Sequence, residues 1–313
     1  MRKLPTLAFL GAALLCSGMA FGQKSQSPPA TPQLPPGVTE GPASLSPGSG
    51  QVKVELPKGL LFLDAKASAD FYTSSKQPVP LHTLGIIVDP ESEVHWYADI
   101  SYQAFGHVND DGANEILKDS ANLLTQMQEA TRAEYAKMPA GSQTPPQIVG
   151  WYKPPTYDPG THTLTTEALL QEAGEKDQTV NFTTFILGRY GGAAYTIVGT
   201  RHDAALIEKK QKLLATCMRF APGQDYASWQ PSDGTSDMTL TGLITGGAVV
   251  ATAAKTGLLA KLGSYLVALL LAMKKAFIAI LAGGAAFIRW IRSKLTGKPT
   301  APTTPDPPTP PAA

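Results

Sequence analysis

The chain has 313 residues, and 26 Lys and Arg against 25 Asp and Glu leave a net charge of +1. That balance supplies no electrostatic footprint for nucleic acid, and no Lys/Arg cluster interleaved with aromatics supplies one locally. The length allows one domain with a proper core plus flanking segments.

Arg2 and Lys3 precede an apolar run from Leu7 to Met19, with Ala20 and Gly22 at the small-residue positions before Gln23. This pattern predicts a secretory signal peptide over residues 1–22. The run is shorter than the ~20 residues a full span prefers, and Leu15 stands where a lipoprotein would carry a small residue before Cys16. Cleavage leaves Cys217 as the one cysteine, which rules out an internal disulfide. Its spacing to Leu213, Leu214 and Phe220 marks a buried thiol. Residues 23–50 are rich in Pro, Ser and Gly without apolar periodicity, so a flexible linker is expected there.

Residues 51–230 read as an extracytoplasmic domain. Val52, Val54 and Leu56 alternate with polar residues, Leu60 to Leu63 and Leu84 to Val88 are short apolar runs, and Val94 to Tyr102 is rich in aromatic and branched residues. Each is a strand candidate, as is Gln147 to Tyr152. Val180 to Leu187 and Ala193 to Thr200 flank a glycine-bearing connection and predict a hairpin. Apolar stripes predict helices from about Asp111 to Lys137 and from about Ala204 to Met218, with a shorter one at 65–73. Helices interspersed with hairpin-linked strands, without βαβ alternation, imply an α+β fold: helices packed on a mostly antiparallel sheet.

Residues 239–290 form an apolar region expected to be a transmembrane helical anchor, interrupted by Lys255, Lys261 and the Lys274–Lys275 pair. A single helix over 262–288 puts two lysines near mid-membrane, at ~2.5–3.5 kcal/mol each. A hairpin turning at the lysine pair and helices lying in the interface both avoid that cost. Gly246, Gly247, Gly283 and Gly284 permit close helix contact and hence a homo-oligomer. Residues 296–313, rich in Pro and Thr, are expected to be disordered. The expected location is the cell membrane, with the main domain on the periplasmic side.

Three strings carry a resemblance. They are Phe105-Gly106-His107-Val108-Asn109-Asp110-Asp111, then Val149-Gly150-Trp151 with Pro154, Pro155, Tyr157, Asp158 and His162, then Leu187-Gly188-Arg189. With the lysine-broken apolar tail, they resemble the membrane-anchored bacterial proteins grouped as DUF2167, over roughly residues 50–295. The resemblance implies an exported domain with a C-terminal anchor and brings no activity, cofactor or catalytic residue. Thr165 and Thr166 stand where the family commonly has a Trp-Ala pair.

Asn109, Asp110 and Asp111 open the expected long helix, where side-chain oxygens cap free N–H groups. The functional alternative is a carboxylate pair, with His107 nearby, binding a cation or acting as acid and base. Asp158, Pro159 and Gly160 are turn formers, and His162 follows them. Trp151, Tyr152 and Tyr157 are candidates to line a groove for sugar or peptide. The G-x-S-x-G, H-E-x-x-H and P-loop signatures are missing, and no cofactor is expected. His202–Asp203 joins the last strand to the last helix, with Asp203 as expected N-cap.

Two functions stand side by side. One is a membrane-tethered module that binds or scaffolds envelope proteins or polysaccharide, with the lipid bilayer as its other partner. The other is an envelope hydrolase or metal-dependent enzyme using His107, Asp110, Asp111, Asp158 and His162, with Asp110 and Asp111 as metal ligands.

Overall fold

A computed structural model describes residues 34–245 apart from 75–78, 81, 93, 95, 137–145 and 172–175. In chain order its strands are β1 (Val38–Glu40), β2 (Ala43–Leu45), β3 (Val52–Leu56), β4 (Leu61–Asp64), β5 (Thr83–Val88), β6 (Tyr97–Gln103), β7 (Gln147–Asp158), β8 (Thr163–Gln171), β9 (Gln178–Leu187), β10 (Gly192–Thr200) and β11 (Met218–Phe220). The helices are α1 (Ala65–Ser74), α2 (Ala113–Lys118), α3 (Ser120–Tyr135), α4 (Ala204–Cys217) and α5 (Leu240–Thr245).

Eight strands form one sheet in the order β1-β4-β5-β6-β10-β9-β8-β7, and β11-β3-β2 form a second. Every pairing is antiparallel. The fold is therefore α+β with a large antiparallel sheet.

Alternation along the strands separates two faces. Ala193, Tyr195 and Ile197 of β10 pack with Ile207 and Leu214 of α4 and with Val52 and Val54 of the small sheet. On the opposite face, Leu61, Ile86 and Tyr97 meet Phe71 and Tyr72 of α1. On that face too, Leu164, Phe185 and Ala194 meet Leu123 of α3 and Leu240, Leu243 and Ile244 of α5. Burying the Val, Leu, Ile and Phe side chains among these contributes ~1.5–3 kcal/mol each.

Several expectations are corrected. Residues 34–50 are part of the domain: Val38–Glu40 pairs with β4 and Ala43–Leu45 with β3. A short strand needs only an open partner edge, which composition does not reveal. The expected helix over 111–137 is two helices, broken at Asp119, whose carboxylate accepts the N–H of Asn122 at 3.1 Å and so starts α3. The strand expected at 147–152 runs on to Asp158 through Pro154 and Pro155, which the sheet tolerates because β7 is its edge. Strand β8 was not foreseen, since Thr163–Gln171 carries no clean alternation: five successive residues, Thr166 to Leu170, are buried. Leu213, expected inward, is 37% exposed.

The C-terminal boundary also moves. Leu240–Thr245, expected in the anchor, is a helix of the domain core. Among the described residues no helix is long and apolar enough to cross a membrane. The expected signal peptide, the remainder of the anchor and the 296–313 tail lie outside the described residues.

Candidate functional site: a carboxylate clasp at one end of the sheet

Three loops converge at one end of the large sheet: the segment after β6, the β7–β8 turn and the β9–β10 turn. The strap between β11 and α5 crosses over them. His107 bridges to Thr235, and Gly188 bridges to Asp225. The Ser236 N–H donates to the His107 carbonyl at 2.7 Å.

Asp110 lies at the centre. One carboxylate oxygen accepts from the Tyr226 hydroxyl at 2.9 Å, and the other accepts from the Tyr157 hydroxyl and from His162 Nδ1, the latter at 2.9 Å. The Tyr226 hydroxyl also reaches the Val108 carbonyl at 2.8 Å and accepts the Asp110 N–H at 3.2 Å. Its single proton is thus divided between two acceptors. Burial pushes the Asp110 carboxyl up, but the hydrogen bonds from Tyr157, His162 and Tyr226 outweigh it and hold the group below its ordinary value. Burial and the same carboxylate push both tyrosine hydroxyls upward.

Aromatic rings stack around this carboxylate. His162 lies on Tyr226 with centroids 3.9 Å apart, Tyr226 meets His107 at 4.2 Å, and His107 stacks on Trp229 at 4.6 Å. His162 holds φ at 51°, a left-handed backbone that costs an L-residue roughly 1–2 kcal/mol. The stack and the contact to Asp110 offset that cost. Burial lowers the His107 pKa. Beyond the stack, Arg189 of the β9–β10 turn forks onto Asp233 of the strap at 2.7 and 3.0 Å and holds that carboxyl down at about 2.

Of the sequence candidates, His107, Asp110, Tyr157 and His162 come together, and Asp111 and Asp158 do not. The backbone N–H of Asp111 donates to Asn109 Oδ1, and its side chain is exposed. Asp158 accepts from the Gly160 N–H and the Thr161 hydroxyl, and so shapes the turn. Asn109, Asp110 and Asp111 do not cap: Gly112 is the N-cap of α2, without a side-chain cap bond. Asp203 is the N-cap of α4 by position, as expected, but its carboxylate accepts from the Thr200 hydroxyl rather than from a helix N–H. Trp151 and Tyr152 face opposite sides of β7. Trp151 donates to the Ser120 carbonyl beside α3, while Tyr152 packs on Phe182 across the sheet, so with Tyr157 they make no common groove.

Arg189 enters the sequence reading only through the Leu187-Gly188-Arg189 string, and Tyr226, Trp229 and Asp233 carry no sequence signal. The strap that holds those three has no apolar periodicity, and only the fold brings it over the turns. Among the described residues no group of three His, Cys, Asp or Glu is arranged to hold a metal ion. For Asp110 and Asp111 the reason is geometric: hydroxyl and imidazole donors already occupy the Asp110 carboxylate, and Asp111 is elsewhere. A cavity of about 390 Å³ between α3 and β7 and one of about 830 Å³ around Arg201 both lie away from Asp110 and His162.

No curated protein matches this chain. Among solved structures, cyanobacterial PsbP (CyanoP) from Synechocystis sp. PCC 6803 is similar at 8% identity and a TM-score of 0.35, over 57% of this chain and 92% of that one. The model of a family described as "Protein of unknown function (DUF2167)" matches residues 39–283, and the chain belongs to that family.

Proposed function

We propose that this protein is a membrane-tethered module on the periplasmic side of the cell membrane that binds or scaffolds envelope proteins or polysaccharide. The clasp around Asp110 is its internal fastening. The carrying observation is the occupancy of the Asp110 carboxylate: three side-chain donors converge on its two oxygens. A carboxylate held this way, with its pKa lowered, is a weak proton acceptor and offers a cation little free coordination. What it does well is lock the strap, and the strap leads directly into the apolar C-terminal region. The signal-like N-terminus and that apolar region support the location.

The test is fractionation of cells expressing the full chain, with alkaline phosphatase fused after the C-terminal apolar region or inserted at the Pro-rich N-terminal segment. The reading expects an active enzyme at the N-terminal insertion and a protein that stays with membranes through carbonate extraction. A protein recovered in the soluble cytoplasmic fraction would sink it.

A second reading rests on one observation. Asp110 contacts Nδ1 of His162, which orients the imidazole as a carboxylate–histidine dyad does and leaves Nε2 as the reactive nitrogen. Among the described residues no serine, threonine or cysteine side chain is hydrogen-bonded to His162. A hydrolase of this kind would therefore act on water. Turnover of ester or glycan substrates by the purified full chain, abolished in His162→Gln, would favour it over scaffolding.

A further inference from the structure

One stripe of α3 faces a cavity. Gln128, Thr131, Arg132 and Tyr135 fall at i, i+3, i+4 and i+7, so they share one side of the helix. With Pro146, Gln147 and Ile148 at the start of β7 they line the cavity of about 390 Å³. That volume is within the range of small-molecule sites, about 300–1,000 Å³. Its walls grade from wet to dry. Arg132 and Gln147 are exposed, whereas Thr131, Pro146 and Ile148 are buried.

The cavity is braced open. Gln128 Nε2 donates to the Ile148 carbonyl at 2.8 Å and so pins α3 to β7. Beside that bond, Leu124 and Met127 pack with Ile148, Ala168 and Leu170. A site already shaped in this way loses less on binding than one that must first be ordered.

Its polar groups are all of one kind. Arg132 Nε donates to the Gln128 carbonyl at 3.3 Å, which lays the guanidinium along the helix. Among the described residues its two terminal nitrogens meet no acceptor. Arg132 stands in the last turn of α3, where it answers the helix dipole, but that role leaves both nitrogens available. The Tyr135 hydroxyl is buried and has no hydrogen-bond partner among the described residues. Burial raises its pKa, so it keeps its proton and can donate. Buried polar atoms are almost always paired, and this one awaits an acceptor. No Asp or Glu is among the described lining residues, where Arg132 carries the one full charge.

We propose that this cavity binds a small carboxylic acid with an apolar body. Its carboxylate takes the terminal nitrogens of Arg132 and the Tyr135 hydroxyl, and its body lies against Pro146, Ile148 and the Tyr135 ring. Residues three apart on a helix hold their Cβ atoms ~5–6 Å apart, so two long side chains can meet the oxygens of one carboxylate. A carboxylate accepts only, which suits two donors with no acceptor beside them. Buried apolar walls such as Pro146 and Ile148 favour an apolar body, because a polar one would lose its water without gaining partners. Neither Asp110 nor His162 lines the cavity, so the inference rests on neither reading of the clasp.

The test titrates the full chain in lipid nanodiscs with para-fluorophenylbutanoate, reading binding by fluorine NMR line broadening against empty nanodiscs. Saturable broadening is expected, with the matching uncharged alcohol bound at least tenfold more weakly. Arg132→Gln should remove that preference, and Tyr135→Phe should weaken the acid several-fold. Arg132 is exposed, so its variant should fold, which a thermal melt checks. Gln147→Trp, at another exposed position, should narrow the mouth and weaken acid and alcohol alike. Broadening no greater than with empty nanodiscs overturns the proposal. So does equal binding of acid and alcohol, or an Arg132→Gln chain that still prefers the acid. Fractionation reports on the tether and this titration on the cavity, so the two fail separately.

Discussion

His162 Nδ1 meets Asp110 Oδ2 at 2.9 Å although 52 residues separate them in the chain. Tyr226, 116 residues beyond Asp110, closes the same cluster. Removing the carboxylate strands two hydroxyls and an imidazole at once. Asp110→Ala is expected to cost about 2–3 kcal/mol, and Tyr226→Phe about 1 kcal/mol. In denaturant titrations the double variant should show a coupling of roughly 0.5 kcal/mol or more. Strictly additive losses would mean that the two residues do not share a network.

The clasp also predicts acid sensitivity. The folded Asp110 pKa is depressed, first against burial and then by Tyr157, His162 and Tyr226. Its contribution is therefore present above the unfolded value of about 3.8 and lost as pH falls through the lower folded value. Asp110→Asn should flatten the acid limb of a stability-versus-pH curve below about pH 4. An unchanged acid limb would place the sensitivity elsewhere.

Asp99 predicts the opposite sign. It is buried against two hydroxyls, Tyr72 at 2.8 Å and Thr83 at 3.0 Å, and burial pushes its pKa from 3.8 to about 7. A raised carboxyl favours the protonated fold, so stability is fully present below about pH 4 and falls as pH rises through about 7. Three pH units correspond to roughly 4 kcal/mol. Asp99→Asn should remove that decline, so its melting temperature should vary less between pH 5 and 8 than that of the natural chain.

Gly191 sits where the β9–β10 turn passes the end of β6. A Cβ there would lie 1.9 Å from the Gln103 carbonyl oxygen, with Ala104 Cα at 2.9 Å. Neither backbone atom can swing aside, so Gly191→Ala is expected to cost about 3 kcal/mol. Thermal melts would show it. A loss under 1 kcal/mol would mean that this turn rearranges freely.

Arg189 grips Asp233 with two nitrogens, which a lysine cannot do. Arg189→Lys should loosen the strap more than the sheet. Limited proteolysis should cut between 221 and 237 several-fold faster, with the midpoint of global unfolding little changed. Equal cleavage rates would count against the strap being held there.

Strand alternation at Val52–Leu56, the hairpin of β9 and β10 around Gly188–Gly192, and helix α4 were all legible in the chain. Each is specified by contacts or periodicity within about 25 residues. The α+β class followed from their order. Alternation also breaks down where a strand is buried over successive residues, as in β8, and no local pattern distinguishes Val38–Glu40 from a linker until β4 offers its edge.

The site divides along the same line. His107, Asp110, Tyr157 and His162 were visible as residue types near turns, but capping and clasping look alike in one dimension. Only the packed sheet, by placing the β7–β8 turn beside the loop after β6, decided that the Asp110 carboxylate turns away from the helix toward His162 and Tyr226. The strap residues had no local signal at all. Their role exists because the chain, after α4, crosses the end of a sheet whose turns were laid down many residues earlier. Local sequence determines local geometry; which distant donors a carboxylate meets is set by long-range closure of the fold.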